Sequence, residues 1–413
     1  MRGGVLVLGN LVFDILVRPV EALRWNATVW VEALEESLGG NGSNTAYTAG
    51  KLGVPVRLMA CAGRDTAGEF ALRKLAEAGV DTSLVRRTDA PTAATVAVVN
   101  AAGARALLHR PGASREAFAE PPDLGADATR GCAWFHLANA YALPQVRRNA
   151  AEILRRARQA GLETSIDTGW DSRGEWMQVL EPCLPHCDLL FVNEDEARRL
   201  GGTPDAEESA RLFLRLGARN VVVKLGAAGC AAFGEAGEFH APAFPVEVVD
   251  TTGAGDAFAG GFLAALARGL SFSAAARVAN AAGALSVSRL GSVAGLRGWS
   301  ETVAWVASFG RKALHHGDAA IVGPTVHCGQ RGADMERMHT TATVKGQVLI
   351  PAALRRKYGI RKGTRIAISE EEGRIILEPI TAEYIHRLRG CAEGTGAMEE
   401  LMAERKWERE RDC

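Results

Sequence analysis

The stretch Asp250-Thr251-Thr252-Gly253-Ala254-Gly255-Asp256 decides how this chain is read. It stands between an extended apolar run, Phe244 to Val249, and a helical run, Ala257 to Arg268. Two glycines let the main chain turn sharply, so that consecutive N–H groups converge on an anion where a helix begins. Asp256 then falls in the first turn of that helix, where the dipole favours an ionised carboxylate. Such a carboxylate can take a proton from a hydroxyl while the pocket holds the phosphoryl group arriving at it. The expectation is an ATP-dependent alcohol kinase with Asp256 as general base and Gly253, Ala254 and Gly255 supplying N–H donors. A plain helix cap after a glycine-rich turn has the same local sequence, and an isolated Gly-x-Gly-Asp would be read that way.

A second motif tips the balance. Gly39-Gly40-Asn41-Gly42-Ser43-Asn44-Thr45-Ala46 runs on to Leu52-Gly53. With both motifs in order, residues 1–310 resemble the ribokinase family of carbohydrate kinases, also called the PfkB family. The chain has no Gly-x-x-x-x-Gly-Lys-Ser/Thr loop, and no Gly-x-Gly-x-x-Gly follows its first strand, so neither a P-loop kinase nor a dinucleotide-binding fold is indicated. The resemblance implies that Asp14, Gly39, Gly40 and Asn44 line a sugar pocket, with Arg110 as a further pocket candidate. It implies that Asn193, Glu196, Lys224, Gly226, Gly229 and Asn280 serve the nucleotide and its Mg2+, and that Asp250 and Thr252 hold a monovalent cation, K+ in activated members. Asp167-Thr168-Gly169-Trp170-Asp171 and Ala138 depart from ribokinases proper and leave the sugar open.

The periodicity agrees with an α/β fold. Apolar strands at Val5–Leu8, Val56–Ala60, Ala133–Leu137, Glu163–Asp167, Leu189–Val192 and Val221–Lys224 alternate with amphipathic helical runs such as Ala67–Ala78, Pro144–Ala160 and Ala206–Leu216. That rhythm predicts a mostly parallel sheet sandwiched by helices. Thr92–Val99 and Ala104–His109 around Gly103 predict a hairpin, and with Val29–Leu38 they break the rhythm. In the family such strands form a small β lid over the sugar.

After Gly310 the pattern lapses. Residues 311–337 read as linker and residues 338–382 as a second domain. Thr341 to Pro351 forms two strand-like pieces around Gly346, Pro351 opens a helix closed by Gly359, and Thr364–Ser369 and Arg374–Glu378 flank a Glu371-Glu372-Gly373 turn. This segment resembles the AbrB/MazE-type (SpoVT-AbrB) swapped-hairpin domain, especially antitoxins of the VapB kind. Lys345, Arg355, Arg356, Lys357, Arg361, Lys362 and Arg365 fall between 338 and 369 with no acidic residue among them. That basic block points to nucleic acid, with Lys345, Arg355, Arg356 and Lys357 on DNA phosphates and Gln347 on a base edge. So short a domain needs a partner chain, and a homodimer is expected. The charged tail, 383–413, is read as a partner-binding segment; the antitoxin resemblance implies a PIN-type ribonuclease toxin. Met335-Glu336-Arg337-Met338 also resembles a translation start, which leaves open a join between two adjacent genes.

The apolar fraction of 47% is ample for a packed core, and charges balance at 48 basic against 48 acidic residues. No run reaches membrane-spanning length and the N-terminal apolar run is too short for a signal peptide, so a cytoplasmic protein is expected. Eight cysteines scattered through the chain suggest free thiols, and Cys183-Leu184-Pro185-His186-Cys187 lacks the second pair that a zinc site needs. Two rivals stand beside the sugar kinase: a nucleoside kinase of the same family, and a transcriptional regulator whose kinase fold only senses sugar.

Overall fold

A computed structural model describes residues 3–101, 103–309, 366–371 and 374–379. The chain divides into two compact units, Met1–Pro324 and Thr325–Cys413. In the first unit the strands are β1 (Gly4–Gly9), β2 (Val12–Arg18), β3 (Ala33–Gly39), β4 (Val56–Gly63), β5 (Val80–Asp81), β6 (Val85–Thr88), β7 (Ala93–Val99), β8 (Arg105–Arg110), β9 (Cys132–Ala138), β10 (Glu163–Asp167), β11 (Leu189–Asn193), β12 (Asn220–Lys224), β13 (Cys230–Gly234) and β14 (Phe239–Ala241). The helices are α1 (Asn41–Lys51), α2 (Thr66–Glu77), α3 (Ala126–Thr129), α4 (Pro144–Gln159), α5 (Met177–Leu180), α6 (Glu194–Gly201), α7 (Ala206–Arg215), α8 (Ala254–Ala267), α9 (Phe272–Val287) and α10 (Trp299–Ser308).

The main sheet runs β14-β13-β12-β11-β10-β9-β1-β4-β5, with β6 also on β4. Its centre, from β12 to β4, is parallel throughout, and β13 and β14 add an antiparallel edge. Buried on both faces, β1 splits its side chains by alternation. Val5 and Val7 enter the layer packed by α1, α8 and α9, and Leu6 and Leu8 enter the layer under α4, α6 and α7. Beyond Asp256 in its first turn, helix α8 is apolar all round because it lies inside the first layer, where Phe258 and Phe262 meet Phe191 of β11 edge-on at 6.1 and 5.4 Å. Small residues bring its neighbours close. A side chain at Gly260 would meet Thr45 and Thr48 of α1, and one at Gly261 would meet Ala279 and Ala282 of α9.

A separate four-stranded sheet, β3-β2-β7-β8, forms the lid, with β2–β7 parallel and the outer pairs antiparallel. The hairpin expected at 92–109 is β7–β8. Strand β2 was not anticipated, because Gly9-Asn10 reads as the end of a strand and Val12 to Arg18 carries Asp14 in its middle. The run Phe244–Val249, read as an extended apolar run, joins no ladder and walls a cavity. In the second unit, β15 (Ile366–Glu371) and β16 (Arg374–Pro379) pair antiparallel in the register Ile366↔Pro379 to Glu371↔Arg374, around the predicted turn. The candidate DNA contacts Lys345, Gln347, Arg355, Arg356 and Lys357 and the tail 383–413 lie outside the described residues.

Candidate active site

The carboxyl ends of the parallel strands are in register, and the polar residues sit there. Gly9 of β1 pairs Ala138 of β9, Ala138 pairs Asp167 of β10, and Asn193 of β11 pairs Lys224 of β12. This edge is where open α/β sheets bind ligands. Two helices start above it. Helix α1 begins at Asn41 and α8 at Ala254, each capped by a glycine with positive φ. Gly253 has φ 75°, and a side chain there would meet Ser292 Cβ at 2.5 Å, so this turn requires glycine on two counts.

Asp256 lies buried where these two helix starts converge. Its Oδ1 accepts Asn41 Nδ2 at 2.8 Å and its Oδ2 accepts Asn44 Nδ2 at 2.9 Å. Both amides are held in turn: Asn41 Oδ1 accepts Asn139 Nδ2 at 3.1 Å and Asn44 Oδ1 accepts Ser292 Oγ at 3.0 Å. Asn139 sits at φ 74°, a conformation that asparagine tolerates better than most residues. Burial is the largest influence on Asp256 and pushes its pKa up; the two amides and Lys224 pull it back. A carboxylate so placed is a stronger base than a solvated one, with one orientation. Asn41 lies one helical turn before Asn44 on the same face of α1, a spacing that was available in the sequence and passed over. Asn139 and Ser292 carried no such signal.

Asp14 comes from the lid. Its carboxylate lies against Gly39, where any Cβ would overlap it, which explains the glycine. Burial raises its pKa to about 6, opposed by a hydrogen bond from Thr95 and reinforced by the charges of Asp250 and Asp256. Thr95 in turn meets His109 Nδ1 at 3.1 Å, so Asp14, Thr95 and His109 share the site face of the lid. Arg110, expected in the pocket, is displaced from it by strand alternation: it follows His109 and points to the other face, where its guanidinium donates to Thr92 O at 3.0 Å. Arg105, which shares the face of His109, reaches the site instead and donates to Thr252 Oγ1.

A cavity of about 660 Å³ opens beside α8, walled by Asn193, Lys224, Gly226, Gly229, Phe244, Gly255 and Asn280 among others. Asn193 and Glu196 form a capping box for α6, with Glu196 N on Asn193 Oδ1 at 2.8 Å and Asn193 N on Glu196 Oε2 at 3.0 Å. Glu196 is buried and also accepts Thr168 Oγ1 at 2.8 Å. Asn280 spends its amide on the main chain, donating to Ala241 O at 2.9 Å and Pro242 O at 3.1 Å, so it props the cavity wall. Lys224 Nζ lies 2.8 Å from both oxygens of Asp167. Burial alone would lower its pKa, but Asp167, Glu196 and Asp256 together raise it. Cys183 and Cys187 are buried thiols of the core, the Cys183 pKa raised by burial to about 12.

Three comparisons bear on this geometry. The family model described as pfkB family carbohydrate kinase matches residues 4–297, and the model described as antidote-toxin recognition MazE, bacterial antitoxin, matches residues 341–384. The chain is 32% identical over 272 residues to aminoimidazole riboside kinase of Salmonella typhimurium, covering 62% of this chain and 84% of that protein. It is 32% identical over 289 residues to the ATP-dependent ribose-1-phosphate kinase of Halopiger xanaduensis, covering 70% of this chain and 93% of that protein. The structure of Arabidopsis thaliana ribokinase complexed with ribose and ATP superposes with a TM-score of 0.66 at 25% identity, over 74% of this chain and 99% of that one. Among the described residues no helix is long and apolar enough to cross a membrane. The chain therefore belongs to the pfkB family of carbohydrate kinases and carries, after that domain, a MazE-type antitoxin domain.

Proposed function

We propose that the first unit transfers the γ-phosphoryl group of ATP to a hydroxyl of a sugar or a sugar-bearing nucleoside. The observation that carries this reading is Asp256, buried between two helix starts and fixed by Asn41 and Asn44. The acceptor hydroxyl gives its proton to the Asp256 carboxylate as its oxygen bonds to the γ-phosphorus. The bond from that phosphorus to the bridging oxygen breaks, and ADP leaves. N–H groups of Gly253, Ala254 and Gly255 face the charge on the transferring group, and the dipoles of α1 and α8 add to them. The cavity beside α8 takes the nucleotide, with Gly226 and Gly229 in the turn after β12 and Asn280 behind its wall. The capping box and Thr168 use Asn193 Oδ1 and Glu196 Oε2, so Glu196 Oε1 is the oxygen that would hold Mg2+ or one of its waters, and the ion when bound would neutralise the phosphate charge.

Asp14 and Asn44, with Gly39 and Gly40 allowing close approach, form the sugar side of the site. Asp14→Ala is expected to weaken sugar binding by about 10- to 100-fold, the worth of hydrogen bonds to a charged acceptor, and to leave ATP binding unchanged in calorimetric titrations. An unaltered sugar affinity would remove Asp14 from the pocket. Sugar affinity should also fall as pH drops through about 6, where Asp14 gains a proton. The same raised pKa works against folding as pH rises towards 6, so the loss of binding on acidification is not a loss of fold.

A riboside acceptor is the second reading, favoured by the likeness to aminoimidazole riboside kinase and by Trp170. Trp170 is 62% exposed and follows Gly169, where any Cβ would overlap the Asn139 amide at the edge of the site. Intact Asp256, Asn41 and Asn44 speak against a merely sugar-sensing fold.

For the second unit we propose a dimeric DNA-binding antitoxin module whose tail engages a PIN-type ribonuclease. The basic block between 338 and 369 and the MazE-type match support it. The full chain should bind the DNA upstream of its own gene with an affinity falling steeply between 50 and 200 mM salt, by about 10³-fold if six phosphates are contacted. Anisotropy titrations check this, and affinity that ignores salt would end the DNA-binding reading.

A further inference from the structure

The ribokinase resemblance implies a monovalent cation at Asp250 and Thr252, and the residues present do not fit one. Asp250 Oδ1 accepts Thr252 N at 2.9 Å and Thr252 Oγ1 at 2.6 Å, and Asp250 Oδ2 accepts Gly291 N at 3.0 Å. The Arg105 guanidinium completes the set: it donates to Thr252 Oγ1, and its Nη1 lies 3.5 Å from Asp250 Oδ1. A hard cation needs several oxygens with free lone pairs, and here Asp250 Oδ1 takes two donors besides the guanidinium, Asp250 Oδ2 takes one, and Thr252 Oγ1 accepts from Arg105 while donating to Asp250. A second unit charge beside the guanidinium would also be repelled.

The Asp250 side chain is only 9% exposed, whereas that of Arg105 is 39% exposed. A carboxylate so buried needs a counter-charge. No other ion pair to Asp250 is formed among the described residues. Arg105 opens β8, beside the Asn100–Ala104 turn at the tip of the lid. Asp250 lies just ahead of Gly253, and its two oxygens tie that loop to Gly291 and to its own Thr252. The charge that steadies the start of α8 is thus delivered by the lid.

We infer that Arg105 is a built-in replacement for the monovalent cation, and that the loop leading into Asp256 is ordered by the lid and not by K+. This deepens the kinase reading, since it concerns the same loop. It predicts an enzyme indifferent to K+, in which removing one lid arginine creates a K+ requirement.

Thermal melting of the full chain tests it without any substrate, in KCl and in choline chloride at equal ionic strength. The wild type should melt at the same temperature in both salts, within about 1 °C. Arg105→Gln should melt several degrees lower in choline and recover at least half of the loss in saturating K+, as linkage to a newly opened site requires. Arg105→Lys, which keeps the charge, should stay indifferent to K+. A wild-type protein stabilised by K+ over choline overturns the inference, as does an Arg105→Gln variant that K+ leaves unmoved. Should Arg105→Gln fold in neither salt, Arg105→Gln combined with Asp250→Asn decides. Recovery of folding supports the counter-charge, and continued failure rejects it. Finding no phosphoryl acceptor would count against the kinase reading and leave these melting results standing.

Discussion

Asp256→Asn is expected to lower kcat by about 10²- to 10⁴-fold while sugar and ATP binding stay close to wild type. Asparagine has the shape of the aspartate and can sit between Asn41 and Asn44, but it cannot take up the hydroxyl proton. Its NH2 would face the amide of either Asn41 or Asn44, so that one must turn, while the other still donates to the remaining oxygen. A modest loss of stability, of about 1 kcal/mol, should accompany the change. Steady-state kinetics with binding measured separately distinguishes the two effects. A variant that kept near-wild-type kcat would remove Asp256 as the base, since the remaining donors hold charge but move no proton.

The second large effect is at Lys224. Its ammonium is paired with Asp167 and lies in the field of Glu196 and Asp256 as well. Lys224→Met leaves Asp167 buried with no partner, and removing one member of such a pair costs about 3–5 kcal/mol. Burial already pushes the Asp167 pKa to about 6 even with Lys224 present. Without the lysine it rises further, so Asp167 takes a proton and the deficit shrinks as pH falls. Denaturant melts at pH 8 and pH 5 should show the larger loss at pH 8. The combined Lys224→Met and Asp167→Asn variant should regain most of the stability at pH 8. Equal losses at both pH values would show that the lysine acts by packing and not by charge.

How much of this was written in the sequence depends on the kind of information. The parallel core was legible because strands buried on both faces are nearly continuous apolar runs, as in Leu189–Val192, and their helices carry clear stops such as Gly53 and Gly79. The glycine-rich turn before Asp256 was legible because its conformation admits few residues. Strand β2 was hidden because Asp14 interrupts its apolar pattern. Arg110 stood as a pocket candidate, yet His109 and Arg105 take the face of Asp14, because facing in a strand depends on register and a shift of one residue exchanges the faces. The amide chain from Asn139 through Asn41 to Asp256 joins residues from three elements, and no local pattern announces such a meeting. Lys224 was expected on phosphate; its bond to Asp167 depends on β10 and β12 flanking β11, which only topology supplies.

The most direct test of the central claim is to incubate the full-length protein with ATP and a panel of sugars and nucleosides, and to follow both ADP release and the mass of the acceptor. The account predicts that at least one acceptor gains a phosphate ester in step with ADP, and that Asp256→Asn forms it at least about 100-fold more slowly. ATP bound, with no acceptor phosphorylated by the wild type across the panel, would contradict it.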